Sequence, residues 1–427
     1  MVKAVVAVLA TLDTKNDEAQ FVCNTLSEAG VTSWLVDLSL RPHATPGADI
    51  DGGSIATAAQ SSWNEITTLD RAGAAEVMVL GGQRMLLDAL KREELSGVIG
   101  LGGANGTSIV CAIMRALPPL LPKVMVSPVA ATAAVQWYVA ESDIAMFSSI
   151  GDISMNRITR AVLRNAAEAV AAMARRWTDS KKTADQLAPL VGVSTFGVTE
   201  KCVSRVTEGL AARGMEVIQF HASGPGGKAL ESLAGRGELA GVVDVTTHEL
   251  ADLVVGGVYS AGDGRLRSAG QASLPQIIVP GALDFANFWV GSVPEKFSNR
   301  EFLQFNTQNI LMRTNADELS ILGRLVAGRL NDAAGPFVVL IPTQGFSENT
   351  KKMTHSLDGR EIGTWARPDV DRAFTDSLRE HLKNGRIEEL DLHINDAGFA
   401  DTCIAAFLEL IKDADWPDPS ENAKHGE

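Results

Sequence analysis

Short apolar runs recur along the whole chain, each followed by small or polar residues and then by a longer amphipathic stretch. In the first half the runs are "KAVVAVLATL", "VTSWLVDLS", "AEVMVLGG", "SGVIGLGG", "PKVMVSPV" and "SDIAMFSS". They are nearly continuous rather than alternating, which predicts strands of a parallel sheet buried on both faces. Helices are expected between them. "NDEAQFVCNTLSEAG" has acids in its first turn and Gly30 as its C-cap, and residues 155–177, "MNRITRAVLRNAAEAVAAMARRW", read as one long helix. The polar, unpatterned "TDSKKTADQLAP" after it reads as a linker. The alternation then resumes with "PLVGVSTFG", "MEVIQFHASG", "AGVVDVTT", "LPQIIVPGAL", "GPFVVLIPT" and "IEELDLHIND".

This pattern predicts an α/β protein of two doubly wound, Rossmann-like domains with mainly parallel sheets, joined near residues 180 to 188. The expected domains are 1–184 and 185–415, with a disordered tail over 416–427. A (β/α)₈ barrel in the second half is the competing fold, but six visible strands are too few for it.

Composition narrows the function. Of 427 residues, 45% are hydrophobic and 21% charged, as in a soluble globular protein, and no apolar run is long enough to span a bilayer. The basic, apolar start "MVKAVVAVLATLDTK" reads as a first strand rather than a leader, since acidic helix-starting residues follow it. A net charge of −14 argues against nucleic acid as a partner. The four cysteines form no CxxC pair, so neither a disulfide framework nor a zinc knuckle is expected, and the cytoplasm is the expected compartment.

Two strand ends carry candidate chemistry. "LGGANGTS" opens a helix with Gly102, Gly103, Asn105, Gly106 and Thr107, where bare backbone amides and the helix N-terminus suit an anion. Thr107 would cap the helix or bind phosphate. The other reading is tight strand–helix packing, and the loop is neither GxGxxG nor a Walker sequence. "ATLDTKND" places Thr11, Asp13, Thr14 and Lys15 after the first strand, with Lys15 suited to phosphate and Asp13 to a ribose hydroxyl or a magnesium ion. Two such loops on one sheet edge point to a nucleotide-sized anion.

Beyond these loops, "TLDTK", "LGGANGT", "GDISMNRITRAVLRNAA", "STFGVTEKCV", "FHASGPGGKALE", "DVTTHELAD", "GALDFANF", "LMRTNADE" and "HINDAGFAD" follow one another in fixed order. In them the chain resembles an uncharacterised family that includes the N-terminal ATP-binding inhibitory domain of the tomato mosaic virus resistance protein. The resemblance implies two Rossmann-like domains, ATP bound in the first by the residues just named, and a tendency to form homodimers. The chain departs from the family at Ala10, Asn16 and Asn105, where glycine is usual, and at Phe305–Thr307, where His-Asn-Pro is usual.

In the second half, reactive side chains gather at strand ends. His221 precedes a second glycine loop, "ASGPGGK"; Asp244 stands beside Thr246, Thr247, His248 and Glu249; Asp284, Asn287 and His393 follow later strands. If these strands are parallel, His221 and His393 would act as acid/base groups or metal ligands, Asp244 and Glu249 as their carboxylate partners, and Arg313 as an anion clamp. Spacing identifies no metal, although a divalent ion is compatible with the set. The expected function is therefore an enzyme acting on a small, anionic molecule with ATP, as transferase or ligase first. A non-catalytic ATP-binding regulatory module and a metal-assisted hydrolase or C–C lyase without nucleotide are the alternatives.

Overall fold

The computed structural model describes residues 3–42, 47–180 and 188–412. Of the expected linker, Thr178–Ser180 belong to the helix Arg157–Ser180 instead, and residues 181–187, like the tail over 416–427, lie outside the described residues. The chain divides into two compact units, Met1–Leu187 and Ala188–Glu427.

The first unit holds β1 (Val5–Ala10), β2 (Thr32–Asp37), β3 (Gly97–Leu101), β4 (Lys123–Ser127) and β5 (Ala145–Ser148). They pair in parallel in the order β2-β1-β3-β4-β5. β3 and β4 are buried along their whole length; β4 has an apolar centre, Val124–Val126, and its buried Lys123 is paired with Asp143 at 2.8 Å. On one face the long helix Arg157–Ser180 and the helix Leu12–Glu28 cover the sheet, burying Leu163, Ala167, Val170 and Ala174. On the other lie the helices Gly52–Ala58, Arg71–Lys91 and Ala104–Ala116.

"AEVMVLGG" is not a strand; it lies inside the helix Arg71–Lys91. Asp70 caps that helix by accepting from the Gly73 amide at 2.8 Å, and Ala74, Met78, Leu86 and Ala89 form its buried stripe. The short apolar run obscured this longer helical period. Its two glycines serve packing: a side chain at Gly81 would overlap the Ile55 carbonyl, and one at Gly82 would meet Ile113 at 2.6 Å.

In the second unit the strands are β6 (Leu190–Thr195), β7 (Glu216–His221), β8 (Gly241–Asp244), β9 (Gln276–Ile278), β10 (Phe285–Trp289), β11 (Phe302–Gln304), β12 (Asn309–Arg313), β13 (Phe337–Pro342), β14 (Met353–His355), β15 (Glu361–Thr364) and β16 (Arg386–Leu390). Six form an open parallel sheet in the order β16-β13-β9-β8-β6-β7, which is doubly wound and not a barrel. The other five form an antiparallel sheet, β10-β12-β11-β14-β15, that the sequence pattern did not reveal. Phe285, Leu311 and Trp365 of this region pack with Phe196, Ala222 and Ala282, which follow the carboxyl ends of β6, β7 and β9. The antiparallel sheet therefore caps the edge where ligands usually enter such a domain. No helix among the described residues is long and apolar enough to cross a membrane.

Candidate functional site

In an open parallel sheet, a crevice forms where successive connections leave in opposite directions, outside the strand carboxyl ends. In the first unit this point lies between β1 and β3, whose loops were singled out from sequence. They meet there around a cavity of ≈ 500 Å³. Thr11, Asp13, Thr14 and Lys15 line it from the β1 side, and Gly103, Asn105 and Gly106 from the β3 side. Gly102 and Thr107 stand behind the wall.

Gly103 is the N-cap of the helix Ala104–Ala116 and has extended backbone (φ −67, ψ −168), with no side chain capping the first turn. A Cβ on Gly102 would come 2.9 Å from the Gly106 Cα, so glycine there serves packing. A Cβ on Gly103 would meet nothing within 4 Å. The fold does not require that side chain to be missing, and its absence leaves the amides of a 13-residue helix open towards the cavity. Thr107 takes neither of its expected roles. Its buried hydroxyl lies 2.8 Å from the Gly103 carbonyl and 2.6 Å from Ser127 Oγ, tying the loop to the end of β4.

The β1 loop is built differently. The amide of Leu12 reaches Asp37 Oδ1 at 3.3 Å and that of Asp13 reaches Ser39 Oγ at 3.1 Å, so the end of β2 already serves this helix start. Lys15 breaks the helical geometry (φ −129, ψ 24), and its Nζ donates to the Ile153 carbonyl at 2.6 Å. Sequence reasoning missed Leu40, Arg41, Arg71, Ile109 and Asp152, which complete the lining with Ala104. Three cations, Lys15, Arg41 and Arg71, thus share the cavity with two carboxylates, Asp13 and Asp152. In a chain of net charge −14, a cavity with a cationic excess favours an anionic occupant.

The second unit corrects the catalytic expectation. His221 ends β7 and His393 follows β16, the two outer strands of a six-stranded sheet. Five strand spacings of ~4.8 Å separate those strands by ~24 Å, so the two histidines do not meet at one reacting atom. His221 Nδ1 pairs with Ser223 Oγ at 3.0 Å, its ring lies 5.0 Å from that of Phe196, and burial lowers its pKa against the pull of Glu249. His393 Nε2 is held by the Ser347 carbonyl at 3.0 Å and Thr350 Oγ1 at 3.1 Å.

Glu249 acts on His221 only through its charge, and neither histidine is hydrogen-bonded to Asp244 or Glu249. Both bind the fully buried guanidinium of Arg265, Asp244 at 2.6 and 2.7 Å and Glu249 at 2.7 Å, with Glu231 at 3.4 Å. Glu249 Oε1 also accepts from the amides of Gly224 at 2.7 Å and Gly227 at 3.1 Å. The glycine loop "ASGPGGK" is therefore filled by the protein's own carboxylate, and Gly227 is bare because a side chain would overlap that group. Arg313 is no free clamp. It is buried, with Nε on the Trp365 carbonyl at 3.1 Å, Nη1 on the Asp284 carbonyl at 3.0 Å and Nη2 on Asp371. Burial drives the Asp371 pKa up to about 6 despite Arg313. No group of three or more His, Cys, Asp or Glu among the described residues is arranged to hold a metal ion.

His248, fully buried, places Nδ1 3.0 Å from the Ala282 carbonyl and Nε2 3.0 Å from Asp252 Oδ2. Burial disfavours its cation, but Asp252 and the carbonyl outweigh burial and raise the pKa above 6.5. Such a group stabilises the fold fully below its unfolded pKa, and the contribution fades as pH rises through the folded value. Urea midpoints measured from pH 6 to pH 9 are therefore expected to fall in the wild type and to fall less in His248→Gln. Parallel curves for the two proteins would remove His248 as the cause.

Residues 4–179 match the N-terminal domain, and residues 188–411 the C-terminal domain, of the uncharacterised protein family UPF0261. A UPF0261 protein of Rhizobium meliloti is 38% identical, covering 94% of this chain and 98% of its own length. One from Clostridium tetani is 36% identical, covering 95% and 98%. The ToMV resistance protein Tm-1 of Solanum lycopersicum is 36% identical over 79% of this chain, which is 44% of that protein. A solved UDP-N-acetylglucosamine 2-epimerase from Rickettsia bellii aligns at 10% identity over 97% of this chain and 99% of its own, with a TM-score of 0.23, too low to bear on fold or function.

Proposed function

The chain belongs to the uncharacterised protein family UPF0261, and on that premise we propose that its N-terminal unit binds a phosphorylated small molecule, ATP before others, in the β1/β3 cleft. One contrast carries the reading. Of two glycine-rich helix starts, the one at Gly224–Gly227 holds an internal carboxylate, whereas the one at Gly103–Gly106 faces a cationic cavity with its amides uncapped. Helix-terminal amides contribute ~0.3–2 kcal/mol per anionic charge. The cavity volume falls within the ~300–1,000 Å³ of small-molecule sites.

Binding is favoured over turnover at the second sheet's edge, because the acids expected to act there are bound to Arg265 and the two histidines, at opposite limits of the sheet, pair with Ser223 and with the Ser347 carbonyl and Thr350. The regulatory-module reading therefore ranks above the ATP-dependent enzyme. Lys15 would exchange the Ile153 carbonyl for a phosphate oxygen, and the gain is the difference between the new ion-paired bond and the carbonyl bond it gives up, each worth about 1.5–3 kcal/mol. Isothermal titration with ATP, with and without magnesium, tests the proposal. Saturable binding that weakens by ~10-fold or more in Lys15→Ala is expected, and affinity unchanged by that substitution would place the ligand elsewhere.

A further inference from the structure

We infer that the cleft, if it binds nucleotides as proposed above, discriminates among them by the length of the phosphate chain, through Arg41 and Arg71. Because the strand order is β2-β1-β3, the segments after these strands emerge side by side, ~5 Å apart per strand. A phosphate on the amides after β3 is thus separated by the β1 loop from Arg41, which follows β2. Arg41 is held in place: Nη1 donates to the Leu40 carbonyl at 2.8 Å and Nη2 to the Leu69 carbonyl at 3.1 Å. The second bond ties it to the segment that carries Arg71, and both arginines line the same cavity.

Neither guanidinium forms an ion pair with an acid among the described residues. The neighbouring Asp70 carboxylate is already committed to the Gly73 amide. A guanidinium presents forked donors that match phosphate oxygens, so Arg41, oriented by its two carbonyl bonds, and the neighbouring Arg71 form a second anion subsite distinct from the glycine loop. A monophosphate occupies one subsite only. A di- or triphosphate reaches from the glycine loop towards the arginines, and each added phosphate adds contacts there.

Titration calorimetry of the full chain with AMP, ADP and ATP at fixed ionic strength tests the inference. In the wild type, affinity is expected to rise by ~30-fold or more from AMP to ATP. In Arg71→Gln, at an exposed position that forms no side-chain hydrogen bond or ion pair among the described residues, the rise is expected to shrink below about fivefold, with a far larger loss for ATP than for AMP. Arg41→Gln should behave alike, with thermal melting confirming that the Leu69 tether is dispensable for folding. A flat series in a wild type that does bind nucleotides would overturn the inference and leave the nucleotide reading intact. An equal loss for all three ligands in Arg71→Gln would also overturn it, since that is general charge attraction. Failure of all three to bind would sink the nucleotide reading and this inference together.

Discussion

Gly103→Asp is expected to weaken ATP binding by ~100-fold or more while leaving thermal stability unchanged or slightly higher. Asp is a better N-cap than Gly by a few tenths of a kcal/mol, and a Cβ at this position meets nothing within 4 Å, so the folded state accepts the side chain. The new carboxylate would accept from the first-turn amides, as Glu249 accepts from Gly224 and Gly227 in the second unit. It would both occupy the amides and repel phosphate. Gly102→Ala serves as the contrasting variant: its methyl would crowd the Gly106 Cα, so stability is expected to drop with it. If Gly103→Asp bound ATP as tightly as the wild type, the helix start would not be the phosphate site.

Arg265→Met is expected to destabilise the second unit by about 3–5 kcal/mol, because it leaves Asp244 and Glu249 buried with their shared cation removed. The surrounding acids raise the Arg265 pKa against the cost of burial, so the side chain stays charged in the folded protein. With two units in the chain, unfolding need not be a single transition, so the loss is best read locally. Hydrogen exchange of peptides from residues 241–283 in graded urea provides that reading. A shift below about 1 kcal/mol would show that the acids find water or another partner when the guanidinium is lost.

The parallel sheets were legible because strands buried on both faces need an apolar centre, as in "SGVIGLGG" and in Val124–Val126 of "PKVMVSPV". "AEVMVLGG" misled for the same reason, since four apolar residues in a row fit a strand locally and only the spacing of Ala74, Met78, Leu86 and Ala89 reports the helix. The antiparallel sheet was hidden because its strands are short, and β11 and β14 have only three residues each. The stretch around "SENTKKMTHSLDGREIGTW" contributes β14 and β15 to it and ends at the buried Trp365.

The β1/β3 cleft was half legible. Its glycine loop and the Thr11-Leu12-Asp13-Thr14-Lys15 loop are local motifs, but Arg41 and Arg71 arrive from the segment after β2 and from a helix start, and only the strand order brings them to the cavity. In the second unit, Asp244, Glu249 and the histidines were visible as polar groups at strand ends, but their use was not. Whether a carboxylate faces a ligand or an internal cation depends on Arg265, whose place beside Asp244 and Glu249 is set by the fold and not by any motif. Similarly, the ends of β7 and β16 share an edge in a parallel sheet, yet only the strand order shows them at its opposite limits.

A crystal structure of the full chain grown with ATP tests the central claim most directly. Phosphate density within hydrogen-bonding distance of the Ala104, Asn105 and Gly106 amides, with Lys15 turned away from the Ile153 carbonyl, is the predicted result. Nucleotide density at any other place in the protein, with the Gly103 helix start still bare, would contradict it.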